Sequence, residues 1–327
     1  MVEVYSRTMK NLFRVFLLVM SLTSCKSLLL NYASTALAGA NQKGIPSKQK
    51  AGDANPMLAI TGENDDKLVA DFFPTILKMY ELMQKANPKH SGLSSMTGSL
   101  NVMYANAFVA LPADDIPIEK YDEQHAEYER AKLHYLRGRD LCLDALEIRH
   151  TGFKDAVLHG DENQVAAALL HVDKNDVASL YWAGAAWLGA FSLDPLNPDF
   201  LGNLRTPRDI LEKAASLDAN YNDGAIWEVL SNFYISVPAD FGGDAERALI
   251  CHKEALRVSK GKTPGPYVTY AESFCIPAGD EKGFVSALKK ALAINPDENE
   301  NTRLMTIITQ KKARKLLANK SDYFLEW

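Results

Sequence analysis

From residue 67 onward, apolar residues recur at three- and four-residue spacings, and no stretch sustains the period-two alternation rich in Val, Ile and Thr that a half-buried strand requires. The pattern predicts an all-α body. Within it one short motif returns: a small or apolar residue, a bulky one, a second small one and then a proline, spaced so that the first three share a helix face and the last ends the helix. Phe284, Leu288, Ala291 and Pro296 fit it, as do Ile76, Tyr80, Met83 and Pro88. Pro207, Leu211, Ala214 and Ala219, and likewise Ala248, His252, Ala255 and Lys260, keep the face but lack the closing proline.

This is the second-helix pattern of a tetratricopeptide-like unit, so the expected architecture is an α-α superhelix, or solenoid, in which stacked helix pairs cover one another's apolar faces. The third motif position falls at Met83, Ala214, Ala255 and Ala291. Successive later copies lie farther apart than the ~34 residues of the standard repeat, so the connecting loops must carry insertions. Thr206 followed by Pro207 reads as an N-cap with proline at the first helical position, and Asp244 and Asp280 read as further N-caps. First-helix partners are expected around 181–191, 224–235 and 267–274. Two strong helical segments, 119–150 and 162–171, match the repeat poorly, and 92–119 has no place in the scheme.

The N-terminus has a different texture. Arg7, Lys10 and Arg14 precede a short apolar run at 15–22, the layout of a secretory signal and too short for an ordinary membrane-spanning helix. The run ends in Leu22-Thr23-Ser24-Cys25, which looks like a bacterial lipobox and would make Cys25 the acylated first residue of the mature chain. Ordinary cleavage at the A-x-A-like Ala36-Leu37-Ala38 is the competing reading. The polar stretch to residue 66 reads as a tether whose ends would lie ~30 Å apart as a flexible coil. The expected division is a lipoprotein signal peptide at 1–24, acylated Cys25 and tether at 25–66, and a helical domain at 67–327.

Composition narrows the function. With 327 residues, 47% of them hydrophobic, the chain can bury a large core, and a net charge of −5 lacks the basic surface that nucleic-acid binding needs. Apart from Cys25 there are three cysteines, at 142, 251 and 275, with no zinc-like spacing, and they read as small buried hydrophobes. The histidines show no metal-ligand spacing, and HExxH, GxGxxG and GxSxG are absent from the sequence. No catalytic constellation, metal site or cofactor is expected. Gly261-Lys262-Thr263 imitates the end of a phosphate loop without its upstream glycine, and 218–222 imitates a calcium loop without its position-12 glutamate; both read as turns, and His252 reads as a core histidine. The uncharged run at 177–193 reads as a buried repeat helix with apolar surface to spare.

From about Tyr128 to the C-terminus the chain resembles the periplasmic T component associated with TRAP transporters, a family of tetratricopeptide-like lipoproteins. The resemblance rests on YWAGAAWLGAFSL at 181–193, LEKAASLDANYNDGAIWEVLSNFY at 211–234, PADFGGDAERALICHKEAL at 238–256, PYVTYAESFCIPAGDEKGFVSALKKAL at 266–292 and TQKKARKLLANKSDYF at 309–324. It implies a non-enzymatic accessory, lipid-anchored in the periplasm on either the inner or the outer membrane. Such a protein associates with itself as a homotrimer, docks the solute-binding P component, and holds or passes an apolar or carboxylated ligand through a hydrophobic pore. Tyr181, Trp182, Trp187, Phe191, Trp227 and Tyr234 are the candidate pore or interface aromatics, and Phe241, Gly242 and Gly243 the candidate docking loop.

Two other readings share the sequence. A general repeat scaffold of the cell envelope, of the outer-membrane assembly type, has the same fold and anchor. An enzyme whose groups converge only in space would leave no motif.

Overall fold

The computed structural model describes residues 57–324, so the signal segment, Cys25 and most of the expected tether lie outside the described residues. Among the described residues there is helix and no strand. The chain runs α1 (Asp66–Ala86), α2 (Ser91–Ala105), α3 (Tyr121–Arg149), α4 (Phe153–His159), α5 (Glu162–Leu170) and α6 (Val177–Leu193). It continues through α7 (Arg205–Leu217), α8 (Ala225–Ser236), α9 (Ala245–Val258), α10 (Gly265–Tyr270), α11 (Glu281–Ala293) and α12 (Arg303–Ala318). Short π-helical turns at Asn106–Ala110 and Ala271–Cys275 extend α2 and α10.

The repeat face predicted from sequence is the buried face. Leu211, Ala214, Ala248, Ala255, Phe284, Leu288 and Ala291 are all fully buried, and Tyr80 and Met83 nearly so. His252 is buried too, stacked on Tyr270 with ring centroids 4.9 Å apart, and burial lowers its pKa. Asp244 and Asp280 cap α9 and α11 as expected, accepting from Arg247 N and Gly283 N respectively. Thr206 does not cap α7. That helix already begins at Arg205, because the Pro198–Leu201 turn leads the chain into helical geometry two residues before Pro207 and Thr206 N donates to Asn203 O.

Sequence gave 92–119 no role, yet most of it is central. α2 packs between α1, α3 and α6, and most of its residues are buried. Its pattern is hard to read because contact on several sides replaces an apolar stripe by small and polar residues. The crossing with α3 brings backbones together: a β-carbon on Gly98 would lie 2.8 Å from the Gly138 carbonyl oxygen, so nothing larger fits without displacement. His134 Nδ1 donates to Asn101 Oδ1 at 3.0 Å across the same crossing, and burial drives its pKa down to about 4.

α6 runs antiparallel to α3, and its two bracketing aspartates fix the alignment. Asp176, fully buried, accepts from Arg149 Nε at 2.5 Å, from His150 Nε2 at 2.8 Å and from Asp173 N at 2.9 Å. At the other end Asp194 Oδ2 takes Lys132 Nζ at 2.9 Å. The uncharged length between them is therefore held inside the core. No helix among the described residues is long and apolar enough to cross a membrane.

The array also closes on itself. α12 packs against α10 and α11 and then reaches α1. Leu304 and Ile308 are buried in the same cluster as Val69, Phe73 and Leu77, while Arg303 donates to Gly62 O at 2.7 Å and Lys311 pairs with Asp66 at 2.6 Å. Ile60, in the stretch read as tether, is buried in that cluster as well.

Candidate functional site

α8 packs against both α6 and α10, and all three helices carry partly accessible residues. α8 places Glu228 one turn before Asn232, since positions four apart share a face. Thr269 and Ser273, on α10 and the π turn after it, repeat that spacing. The two rows meet: Thr269 Oγ1 donates to Glu228 Oε1 at 3.4 Å and Ser273 Oγ to Asn232 Oδ1 at 3.0 Å. From α12, Lys312 reaches Glu272 Oε2 at 2.8 Å and adds its positive charge to the field at Glu228.

Glu228 is the unusual member. Burial pushes its carboxyl up to about 7, against the Thr269 hydrogen bond and the Lys312 charge, which both pull it down. Its neighbour Gly265 makes the room: a β-carbon there would stand 2.3 Å from Glu228 Oε2. An aromatic group lies beside it. Tyr181 sits with Trp182 edge-on at 4.9 Å and with Tyr221 at 5.4 Å, and its hydroxyl pKa is raised by burial and by the proximity of Tyr221 and Glu228. Chemically the arrangement is a weakly charged carboxyl group, protonated in a substantial fraction of molecules at neutral pH, next to an apolar aromatic surface.

The six sequence-predicted aromatics are not gathered on this face. Trp182 is half-buried within it and Tyr181 is buried behind it. Phe191 is half-buried near the end of α6. Trp187 is buried under the Arg139 guanidinium, 4.9 Å from ring centroid to cation, with no acceptor for its indole N–H among the described residues. Trp227 and Tyr234 lie elsewhere, in a groove of about 340 Å³ formed by α7, α8 and α9. Tyr234 donates there to Glu212, which also pairs with Arg247, and the Arg247 guanidinium stands 4.6 Å over the Tyr234 ring.

The loop leading into α9 adjoins that groove. Gly242 has φ 101° and a β-carbon on Gly243 would lie 1.6 Å from Val237 O, so both positions require glycine. Asp244 N donates to Tyr234 O at 2.8 Å, tying the loop to α8, and Phe241 is left 40% exposed. Sequence reading missed Glu228, Glu272 and Lys312. The available signal was a single acid inside the apolar run Ala225-Ile226-Trp227-Glu228-Val229-Leu230, where an unpaired carboxylate is costly. The three cysteines at 142, 251 and 275 are free and buried, with thiol pKa values raised by burial.

Two comparisons bear on this geometry. The family model described as TRAP transporter T-component matches residues 62–324, well beyond the segment from about 128 in which sequence motifs carried the resemblance, and including α2. An uncharacterized protein of Treponema pallidum (strain Nichols) is 39% identical over 274 residues, which cover 84% of this chain and 85% of that protein.

Proposed function

The chain belongs to the TRAP transporter T-component family, and from that premise we propose that it is a non-enzymatic, lipid-anchored periplasmic accessory that docks the solute-binding P component and holds or passes an apolar or carboxylated ligand. The observation that carries the ligand part is Glu228 beside the Tyr181, Trp182 and Tyr221 aromatics. When protonated, Glu228 donates a hydrogen bond to a carboxylate or carbonyl oxygen, while Lys312 supplies positive charge nearby and the aromatics take an apolar chain. Mainly apolar walls with few placed polar groups are what small-ligand sites use.

Docking of the P component is assigned to the glycine-shaped loop at Phe241, where an exposed aromatic stands on a backbone fixed by Gly242, Gly243 and Asp244. Exposed aromatics on a rigid frame contribute disproportionately to interfaces. The anchor in this reading is acylated Cys25, and self-association as a homotrimer follows from the family resemblance. The test is purification of the full chain, anchor intact, from native membranes, with mass-spectrometric identification of what co-elutes. A TRAP solute-binding subunit is the expected partner, and its loss on Phe241→Ala would place the contact; recovery of outer-membrane assembly machinery in its place would transfer the protein to the general-scaffold reading.

A further inference from the structure

Helix α1 is apolar on two sides. One side, with Val69, Phe73, Leu77, Tyr80 and Met83, is buried in the core it shares with α2 and α12. The other carries Leu68, Phe72, Met79 and Leu82, exposed by 57%, 54%, 53% and 71%, which is a concentration of large apolar side chains in open solvent found on no other helix of the described residues. With exposed Thr75 and Ala86 between and after them, these positions run 68, 72, 75, 79, 82, 86. Alternating steps of four and three are the seam of one helix packed along another, since they keep a straight row facing a partner helix.

The polar residues beside the seam indicate what that partner is. Exposed Asp71, Lys78 and Lys85 flank it at successive seven-residue steps. An anionic lipid surface selects a uniformly basic flank, and Asp71 breaks one. A second, antiparallel copy of α1 instead matches its charges. About a twofold axis between residues 77 and 78, Phe72 meets the second copy's Leu82, Thr75 its Met79 and Leu68 its Ala86, each within one residue of register, while Asp71 comes within one residue of Lys85 in both directions. The two Lys78 side chains approach at the axis, each paired with its own Glu81 at 2.6 Å, a carboxylate that Arg137 shares at 3.2 Å.

We propose that the free face of α1 is an isologous interface in which α1 pairs antiparallel with α1 of a second copy of this chain. The pairing stands on α1 geometry alone, whatever the transporter role. Combined with a threefold assembly through another surface, it gives a particle of six copies; without one, a dimer.

The experiment uses the full chain in detergent. Lys78→Cys, next to the axis, forms a disulfide-linked dimer on mild oxidation, while Ser216→Cys, exposed on α7, does not. Phe72→Glu with Leu82→Glu abolishes that cross-link and lowers the mass by light scattering twofold, with the helical circular dichroism signal retained because both positions face solvent in the single chain. An unchanged mass in the double variant overturns the proposal and leaves the stripe to a lipid surface or an unrelated chain. A mass that falls while Lys78→Cys never cross-links also overturns it, because the contact then lacks the twofold register.

Discussion

Leu304 on the last helix and Phe73 on the first lie in one buried cluster, although more than two hundred residues separate them along the chain. Packing of α12 on α1 through that cluster joins the two ends of the helical array. Lys311 and Asp66 bridge the same junction at 2.6 Å, but Lys311 is half exposed, and exposed pairs contribute roughly 0–1 kcal/mol. Leu304→Ala should therefore destabilise the protein by roughly 2–5 kcal/mol through the cavity it leaves, whereas Lys311→Ala should cost under about 1 kcal/mol. Urea unfolding of the two variants measures both. Equal losses would show that closure depends on the ion pair.

Asp176 is a buried carboxylate paired with the Arg149 guanidinium and hydrogen-bonded to the His150 ring. Arg149→Ala should cost roughly 3–5 kcal/mol, because it leaves that charge inside with an incomplete set of partners. Adding Asp176→Asn should recover part of the loss. A double-mutant cycle in thermal unfolding reads the coupling, and a coupling near zero would mean that water takes over the role of Arg149.

Glu228 makes stability depend on pH in a defined direction. Its folded pKa, about 7, lies above the unfolded carboxylate value, so the contribution of its protonated form is fully present below the unfolded pKa and is lost as pH rises through about 7. Glu228→Gln should raise the melting temperature relative to the parent at pH 8 and have little effect at pH 4. The sign of the difference at pH 8 is decisive, since a carboxylate stabilised by Lys312 would make the same variant less stable there.

Gly243→Ala should disturb the α8–α9 loop, because its β-carbon has no room beside the Val237 carbonyl. The expected stability loss is about 1–3 kcal/mol, as for other strained backbone positions, with faster proteolysis confined to the loop. Limited proteolysis with mass mapping checks this. A variant indistinguishable from the parent would show that the loop accommodates the methyl group by shifting as a unit.

What could be read from the residues in order was whatever is fixed by near neighbours. Helix periodicity, the caps at Asp244 and Asp280 and the inward motif residues such as Leu211 and Leu288 all depend on groups within a few positions, so the all-α class and the buried repeat face were legible. Thr206 was misread as a cap because the turn that starts α7 early is set by the residues before it.

The remainder depended on segments that meet only when the whole chain is wound. Closure of α12 on α1 follows from the rotation summed over every helix pair, which no local window contains. α2 escaped the repeat pattern because contact with three helices removes its stripe. The pKa of Glu228 is the joint effect of burial, a hydroxyl from α10 and a charge from α12. Which aromatics face one another and which turn to the α7–α9 groove depends on the same winding, since a tryptophan gains similar free energy from either burial and its sequence neighbours do not distinguish them.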